Sequence, residues 1–344
     1  MSQLWTLFIL SGVTAAAAAV LIRIGRGFLA RWRQIRETRY RVQREDAVKH
    51  LHKWEMSGRR PTMQSLAGAL HITLDQAASL VSDLERHHLL EMQGEEFRLT
   101  PSGRSGALHI IRAHRLWERY LADETGLAES DWHDSAERQE HTLSPAQAEN
   151  LSTHLGRPTH DPHGDPIPTA DGRLVPHGGQ PLAAMPVNRL VRIVHIEDEP
   201  KGIYEQLVAE GFCPGMIGKL TEVSAQGVHL WVEGEEHVLT PLVAANISAV
   251  GLPAVPRAES ASNERLIDLR PGEKGEVITI SPLCRGLERR RFMDLGILPG
   301  TVIEAEFQGP SGDPTAYRIR GAVIALRREQ AKSVQIRRLG EVES

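Results

Sequence analysis

An internal repeat in the C-terminal half constrains the fold of this chain more than any other feature. The segment "LVAEGFCPGMIGKLTEV" from Leu207 aligns without a gap with "FMDLGILPGTVIEAEFQ" from Phe292. Both copies keep a glycine and a Pro-Gly pair at the same spacing, and such a pair is typical of a tight turn into a strand. The repeat predicts two copies of one small β-rich domain, over 186–250 and 265–338, joined by a linker over 251–264.

The N-terminal segment predicts a membrane anchor. No charged side chain occurs between Met1 and Ile22, and a helix of about 20 apolar residues crosses a bilayer. A cleaved signal peptide is the alternative, but no Lys or Arg precedes the apolar run, as that peptide requires. Arginines follow instead, and positive charge stays on the cytoplasmic side. We expect an uncleaved anchor over 1–24 in the cell membrane, with the N-terminus outside, and an Arg-rich cytoplasmic stalk over 25–44 that contacts membrane lipid.

Two α-helical regions are predicted between the stalk and the repeat. Residues 45–104 show three segments with helical apolar spacing, with Thr73 as N-cap of the third, and then two short strands around Gly94. This pattern is typical of a winged helix-turn-helix. Residues 105–156 are predicted to be helical, and a Pro/His/Gly-rich connector covers 157–185. Turn chemistry explains the residues around the connector histidines better than metal ligation does. These histidines are His160, His163 and His177.

The segment "WHDSAERQEH", residues 132–141, raises the question of metal binding. His133, Glu137 and His141 are spaced four apart with Glu140 beside them, so a helix projects all four from one face. A solvated helix face with salt bridges is the simpler interpretation. A divalent-metal site is the alternative, since imidazole nitrogen and carboxylate oxygen together suit Fe, Mn or Zn.

Composition excludes several classes of function. The net charge of −4 provides no general attraction for nucleic acid, and the two cysteines, Cys213 and Cys284, are far apart in the sequence. This spacing argues against a disulfide framework or a thiolate metal cluster. The sequence contains no GxSxG, P-loop or HExxH motif, so we do not expect an enzyme.

Residues 45–250 resemble the diphtheria-toxin-repressor family of metal-dependent regulators, which includes the manganese regulators. The segments "RAHRLWERYL", "WHDSAERQEH", "DPHGDPIP" and "RLVRIVHI" carry the resemblance and occur in family order. Residues 265–338 resemble FeoA, the SH3-like partner of the ferrous transporter FeoB, through "MDLGILPGT", "GDP" and "RGAVIALRREQAKSVQI". The expected fold is multidomain α+β, with a transmembrane helix, a winged helix-turn-helix, a helical dimerisation domain and two small SH3-like barrels. The first resemblance also implies a homodimer.

The resemblance implies two sets of metal ligands. The regulatory set is Asp46, Glu137, Glu140 and His141. The ancillary set is His114, Glu118 and His133. Acidic residues in the regulatory set favour Fe²⁺ or Mn²⁺ over softer metals. Lys49 stands where manganese-type members carry a glutamate, so selectivity between the two metals stays open. Protons compete for the histidines, which predicts weaker metal binding below about pH 6. Acidic candidates from the SH3-like domain are Glu197, Asp198 and Glu199.

Two functions follow from these features. The first is a membrane-anchored, metal-dependent transcriptional regulator, in which the metal clamps the winged helix to the dimerisation domain so that the dimer binds operator DNA. The second is a metal sensor that does not read DNA and regulates the FeoB transporter through its FeoA-like domain. Acids outnumber arginines between Ser65 and Thr100, which disfavours phosphate contacts and supports the second function. The candidate DNA-binding residues are Thr73, Gln76, Ser79, Ser82, Arg86 and Arg98.

Overall fold

The computed structural model describes residues 31, 32, 34–93, 96–232, 235–253 and 264–339. The chain divides into two compact units, one up to Ile110 and one from Ile111 onward. Each unit has its own hydrophobic cores.

The first unit contains the predicted winged helix-turn-helix. Its helices are α1 (34–56), α2 (Met63–Ala69), α3 (Leu74–Arg86) and the beginning of α4 (Pro101–Glu124). The wing is an antiparallel pair of β1 (Leu90–Gln93) and β2 (Glu96–Leu99). Helix α1 begins within the predicted stalk, because its helical backbone is continuous across residue 45.

Local capping defines the helix-turn-helix. Thr62 and Thr73 cap α2 and α3, and each accepts a hydrogen bond from the backbone N–H three residues later. Apolar side chains spaced along the helices then meet in one core, where Leu51, Leu66 and Leu84 are almost fully buried. The core explains why this segment folds as three helices.

The second unit begins with the rest of α4. The 3₁₀ turn Glu129–Asp131 and helices α5 (Trp132–Glu140) and α6 (Pro145–His154) follow. Two antiparallel sheets complete the unit. The first sheet domain consists of β3 (Gln180–Pro181), β4 (Arg189–Ile196), α7 (Lys201–Ala209), β5 (Ile217–Val223), β6 (Val228–Val232), β7 (Glu235–Leu239), α8 (Pro241–Ala244) and β8 (Ile247–Gly251). The second sheet domain consists of β9 (Lys274–Ile280), α9 (Gly286–Asp294), β10 (Val302–Gln308), β11 (Thr315–Ile319), β12 (Ala322–Leu326), α10 (Arg328–Lys332) and β13 (Val334–Leu339).

The internal repeat accounts for the likeness of the two sheets. The strand order β8-β4-β5-β6-β7 in the first sheet matches β13-β9-β10-β11-β12 in the second. Gly211 and Gly296 follow the equivalent helices α7 and α9, with φ of 80° and 81°. L-residues with a side chain rarely adopt this left-handed conformation, so each helix ends at a glycine.

The second sheet domain contacts the helical segment within the same unit. The Arg285 guanidinium lies 3.4 Å from Glu129 Oε1 and 5.9 Å from the centre of the Trp132 ring. A Cβ at Gly286 would lie 2.7 Å from the carbonyl oxygen of Thr125, so the chains approach too closely for a side chain there. This contact places the FeoA-like domain beside the first turn of α5.

The expectation of a membrane-anchored chain at the cell membrane is wrong for the part of the chain that the structure describes. Within those residues, no helix is both long enough and apolar enough to cross a bilayer. The predicted anchor, residues 1–24, lies outside the described residues. The winged helix, the helical segment and the β-sheet domains are as expected.

Candidate metal centre

A buried cluster of imidazole and carboxylate groups lies where α4 and α5 pack together in the second unit. His114 and Glu118 are one turn apart on α4, and Glu140 is the last residue of α5. The side chain of His114 is 7% exposed, and those of Glu118 and Glu140 are 1% and 2% exposed. Ionisable groups are this deeply buried only when other polar groups compensate them.

The His114 ring connects the two carboxylates. Its Nδ1 lies 2.5 Å from Glu140 Oε2, and its Nε2 lies 3.0 Å from Glu118 Oε1. One imidazole therefore links a residue of the predicted regulatory set to a residue of the predicted ancillary set. A cation that binds the carboxylate of Glu118 or Glu140 would therefore also change the contact of the His114 ring with the other carboxylate.

His133 joins the cluster from the first turn of α5. Its Nδ1 lies 3.4 Å from Glu118 Oε1 and 3.0 Å from Asp198 Oδ2, and its ring centre lies 4.9 Å from that of His114. His114, Glu118 and His133 each offer a ligand atom within 4.8 Å of the others. The structure thus brings the predicted ancillary set together.

The members of the predicted regulatory set on α5 and at its end differ in their burial. The buried stripe of α5 is Trp132, Ala136 and Glu140, which leaves Glu137 at its side with a side chain that is 57% exposed. His141 caps the helix, with Nε2 3.5 Å from Glu140 Oε1. Asp46 lies half-buried on α1 in the first unit. Helical spacing placed four residues on one face, but the packing of α5 on α4 leaves one of them, Glu137, largely exposed.

The connector supplies His163, which the sequence analysis did not assign to the site. Its side chain is 2% exposed, and its Nδ1 lies 3.6 Å from Glu118 Oε2. The Asp161 carboxylate accepts hydrogen bonds from the backbone N–H groups of His163 and Asp165, each at 2.9 Å. Turn chemistry therefore does explain the aspartates of "DPHGDP", and the same turn directs His163 at Glu118. The "DPHGDP" motif was the signal in the sequence that could have identified His163, because the turn that Asp161 forms fixes the position of His163.

The comparisons with known proteins match this region. The family "Iron dependent repressor, metal binding and dimerisation domain" matches residues 100–169, and the FeoA domain matches residues 264–338. The iron-dependent repressor IdeR of Mycobacterium leprae is 33% identical over 150 residues, which is 43% of this chain and 64% of that protein. IdeR of Mycobacterium tuberculosis is 29% identical over 209 residues, which is 56% of this chain and 90% of that protein.

A solved structure, "Manganese-dependent transcriptional repressor complex with manganese", has a TM-score of 0.54 with 26% identity. The likeness covers 60% of this chain and 100% of that one. The chain is similar to the diphtheria-toxin-repressor family over its metal-binding and dimerisation segment, and residues 264–338 match the FeoA domain. Both family matches fall on segments that the sequence motifs had singled out.

The donor set of this cluster fits a hard divalent cation. The cluster combines imidazole nitrogens with carboxylate oxygens, which suits Mn²⁺ or Fe²⁺. The two cysteines are buried in the cores of the two sheet domains, so neither is a candidate ligand here. Among the residues that the structure describes, His163 Nδ1 is buried without a hydrogen-bond partner. A buried imidazole nitrogen that lies 3.6 Å from a carboxylate oxygen without a hydrogen bond between them is an arrangement that a bound metal ion would complete.

Histidines keep the central carboxylate ionised. Burial by itself raises the pKa of Glu118, but the charge of His114 and the close imidazoles of His114, His133 and His163 outweigh burial and hold that pKa well below its ordinary value. Hydrogen bonding to Asp198, then to Glu118 and Glu137, raises the pKa of His133 to about 12. A ligand site made of charged histidines must lose protons before it binds a cation.

Metal affinity is therefore expected to rise with pH well above pH 6. Metal displaces the proton of His133, whose pKa of about 12 keeps that ring protonated at neutral pH. Each displaced proton raises the affinity about tenfold per pH unit while pH stays below the pKa. Anaerobic titration with Mn²⁺ at pH 6, 7 and 8 measures this slope. Constant Mn²⁺ affinity from pH 7 to pH 8 would exclude proton displacement from His133. It would instead support proton competition only below about pH 6, as predicted from the pKa of free histidine.

The predicted DNA-binding residues lie in the first unit on α3 and the wing. Thr73 and Gln76 bond to each other in a capping box, and the Ser79 hydroxyl donates to the carbonyl of Asp75. Arg86 forms an ion pair with Asp83 at 2.6 Å, and Ser82 and Arg98 are exposed. Local contacts therefore occupy most of the polar groups of α3 that the sequence had assigned to bases.

Helix α1 adds cations beside α3 that the sequence count did not include. Arg44 Nη1 lies 3.5 Å from Asp83 Oδ2, so α1 compensates an acid of α3. Arg36 lies over the rings of Trp32 and Tyr40, at 5.6 Å and 5.5 Å from their centres. Side chains of α1 and α3 line one open groove, with Arg36, Arg39, Arg44 and Arg86 among them. This surface is more cationic than α3 and the wing considered alone.

Proposed function

We propose that this chain is a metal-dependent transcriptional repressor that responds to Fe²⁺ or Mn²⁺ and binds operator DNA as a homodimer. The observation that carries the proposal is the buried cluster of His114, Glu118, His133 and Glu140, within the segment that matches the metal-binding and dimerisation domain. The repressors similar to this chain support the function.

A bound Fe²⁺ or Mn²⁺ would supply a positive charge that attracts imidazole and carboxylate groups from separate elements into one geometry. Glu118 and His114 hold the α4 side of this cluster, and His133 and Glu140 hold the α5 side. In this proposal Asp46 contributes a carboxylate from the winged helix, as the family resemblance implies. Binding of the metal then favours the DNA-binding state by the difference in metal affinity between the two states.

Cations of α1 support DNA as the partner. Nonspecific attraction to DNA comes from phosphate neutralisation by Lys and Arg. The groove between α1 and α3 supplies such arginines, and Arg44 offsets the charge of Asp83. The alternative, a sensor that acts on FeoB, has the match of residues 264–338 to the FeoA domain in its favour.

Metal-dependent DNA binding is the expected result for the full chain. Fluorescence anisotropy with DNA from its own upstream region, at about 150 mM salt, limits nonspecific phosphate attraction. We expect DNA binding with Mn²⁺ or anaerobic Fe²⁺, a preference for this DNA over a scrambled sequence, and no DNA binding without metal.

Glu140→Ala and His141→Ala should abolish the metal-dependent DNA binding, whereas His133→Ala should weaken it. Asp134→Asn is the matched control on α5, because the Asp134 side chain is 53% exposed and forms an ion pair with Lys201 at 3.3 Å.

Absence of DNA binding with metal still bound would reject the repressor proposal and make the FeoA-like domain the next element to test. Metal affinity that is unchanged in Glu140→Ala would show that the regulatory site lies elsewhere. Both outcomes are read from the same protein samples.

A further inference from the structure

Both sheet domains contact the start of α5 with the same loop of the repeat. The repeat pairs α7 with α9, so the loop between β4 and α7 is equivalent to the loop between β9 and α9. From the first loop, Asp198 Oδ2 lies 3.0 Å from His133 Nδ1. From the second loop, Arg285 Nη1 lies 3.4 Å from Glu129 Oε1, in the 3₁₀ turn that leads into α5. The second sheet domain therefore holds the turn that comes directly before the helix of His133.

The Arg285 side chain is fixed within its own domain and against a buried ring. Its Nε donates to the carbonyl oxygen of Pro282 at 3.1 Å, and its guanidinium carbon lies 5.9 Å from the centre of the Trp132 ring. Trp132 is buried, and its ring N–H donates to the carbonyl oxygen of Leu127 at 3.1 Å. A planar guanidinium over an aromatic ring restrains both groups. Arg285 thus restrains the residue that precedes His133 in the chain.

Glu129 joins the contacts of the two sheet domains. Its Oε1 accepts from the hydroxyl of Tyr204 at 2.8 Å and from Arg285 Nη1 at 3.4 Å. Tyr204 is a buried residue of α7, in the first sheet domain. A partly buried carboxylate with partners on both domains fixes the 3₁₀ turn, because moving the turn would separate the carboxylate from the groups that compensate its charge.

We propose that Arg285 is a positioning residue of the metal centre, through which the second sheet domain sets the place of His133. Its guanidinium fixes Glu129 and Trp132, and these residues fix the first turn of α5. His133 is then held beside Glu118, with 3.4 Å between Nδ1 and Oε1, before a cation binds. Ligands that are already in place bind more tightly, because less freedom is lost on binding. The inference rests on the proposed metal binding and gives the FeoA-like domain a role in it.

Titration of the full chain with Mn²⁺ at one fixed pH tests this role. Arg285→Gln should weaken Mn²⁺ binding about fivefold, as is typical of a residue that acts on a site through its neighbours. Glu129→Gln should give the same loss, since it breaks the same ion pair while its amide oxygen still accepts from Tyr204. The double variant should lose no more than either single variant, because both changes remove one interaction.

A His133→Ala background separates positioning from a general loss of structure. In that background Arg285→Gln should leave the remaining Mn²⁺ affinity unchanged, because the residue that it positions is absent. A defect in folding would weaken Mn²⁺ binding in both backgrounds. Glu129→Gln gives an independent measurement should Arg285→Gln fold poorly.

Arg290→Gln is the matched control on the same domain. Arg290 forms an ion pair with Glu124 at the end of α4, and its side chain is 59% exposed, so such a pair contributes little. The control should keep the affinity of the wild type. Unchanged affinity in both Arg285→Gln and Glu129→Gln would overturn the inference, and so would an equal loss in Arg290→Gln or a loss that persists without His133. A wild-type chain that binds no Mn²⁺ would instead reject the proposed function, and the inference with it.

Discussion

Gly164→Ala is expected to destabilise the second unit by about 3 kcal/mol, combining a left-handed backbone cost with overpacking. Gly164 has a φ of 94°, and a Cβ there would lie 2.0 Å from the carbonyl oxygen of Val194 and 2.8 Å from the Cα of His195. Both atoms belong to the backbone of β4, so they cannot move aside as a flexible side chain would. The connector must instead leave the strand, and His163 moves away from Glu118 with it.

Urea unfolding of the metal-free full chain measures this loss of stability. Gly178→Ala is the matched control in the same connector, since Gly178 has a φ of 67° but nothing lies within 4 Å of its Cβ position. We expect the control to lose only the backbone cost of about 1 kcal/mol. Equal losses in the two variants would show that the close approach to β4 does not determine the position of the connector.

Glu118→Gln is expected to destabilise the metal-free protein by about 3 kcal/mol at pH 7 and to abolish Mn²⁺ binding at this centre, because removing one partner of a buried charge cluster leaves the others uncompensated. The uncompensated groups are His114, His133 and His163, which all contact the carboxylate. The amide keeps the volume of the side chain, so the change isolates the charge. Asp134→Asn removes a half-exposed acid of α5 that pairs with Lys201, and we expect it to cost at most about 1 kcal/mol.

The pH dependence of this difference has a definite sign. The folded-state pKa of Glu118 lies well below its ordinary value of 4.5. Its contribution to stability is therefore fully present above about pH 4.5 and is lost as pH falls through the folded-state pKa. The gap in unfolding free energy between wild type and Glu118→Gln should persist from pH 7 to about pH 5 and then shrink. A gap that stays constant down to pH 3 would show that shape, rather than charge, makes Glu118 important.

Helix α3 shows how local and tertiary information differ. Thr73 was predicted both as the N-cap of α3 and as a DNA-binding residue. The structure shows the cap, in which Thr73 and Gln76 bond to each other. The arginines of α1 were assigned to a separate stalk, because hydropathy marks the apolar run before them. Their proximity to α3 depends on the packing of α1 in the winged-helix core, which no local pattern encodes.

The sequence by itself determined the features that depend on neighbouring residues. Capping residues and apolar spacing predicted the helices, the repeat predicted two equivalent sheets, and the four-residue spacing paired His114 with Glu118 on α4. Only the tertiary structure decided which side of α5 is buried, because that depends on the contact with α4. It also placed His163 and Asp198 at Glu118, since they reach the cluster through the packing of the connector on β4. Side chains distant in sequence meet when burial of apolar surface brings their elements together, and the spacing of residues along the chain does not encode that meeting.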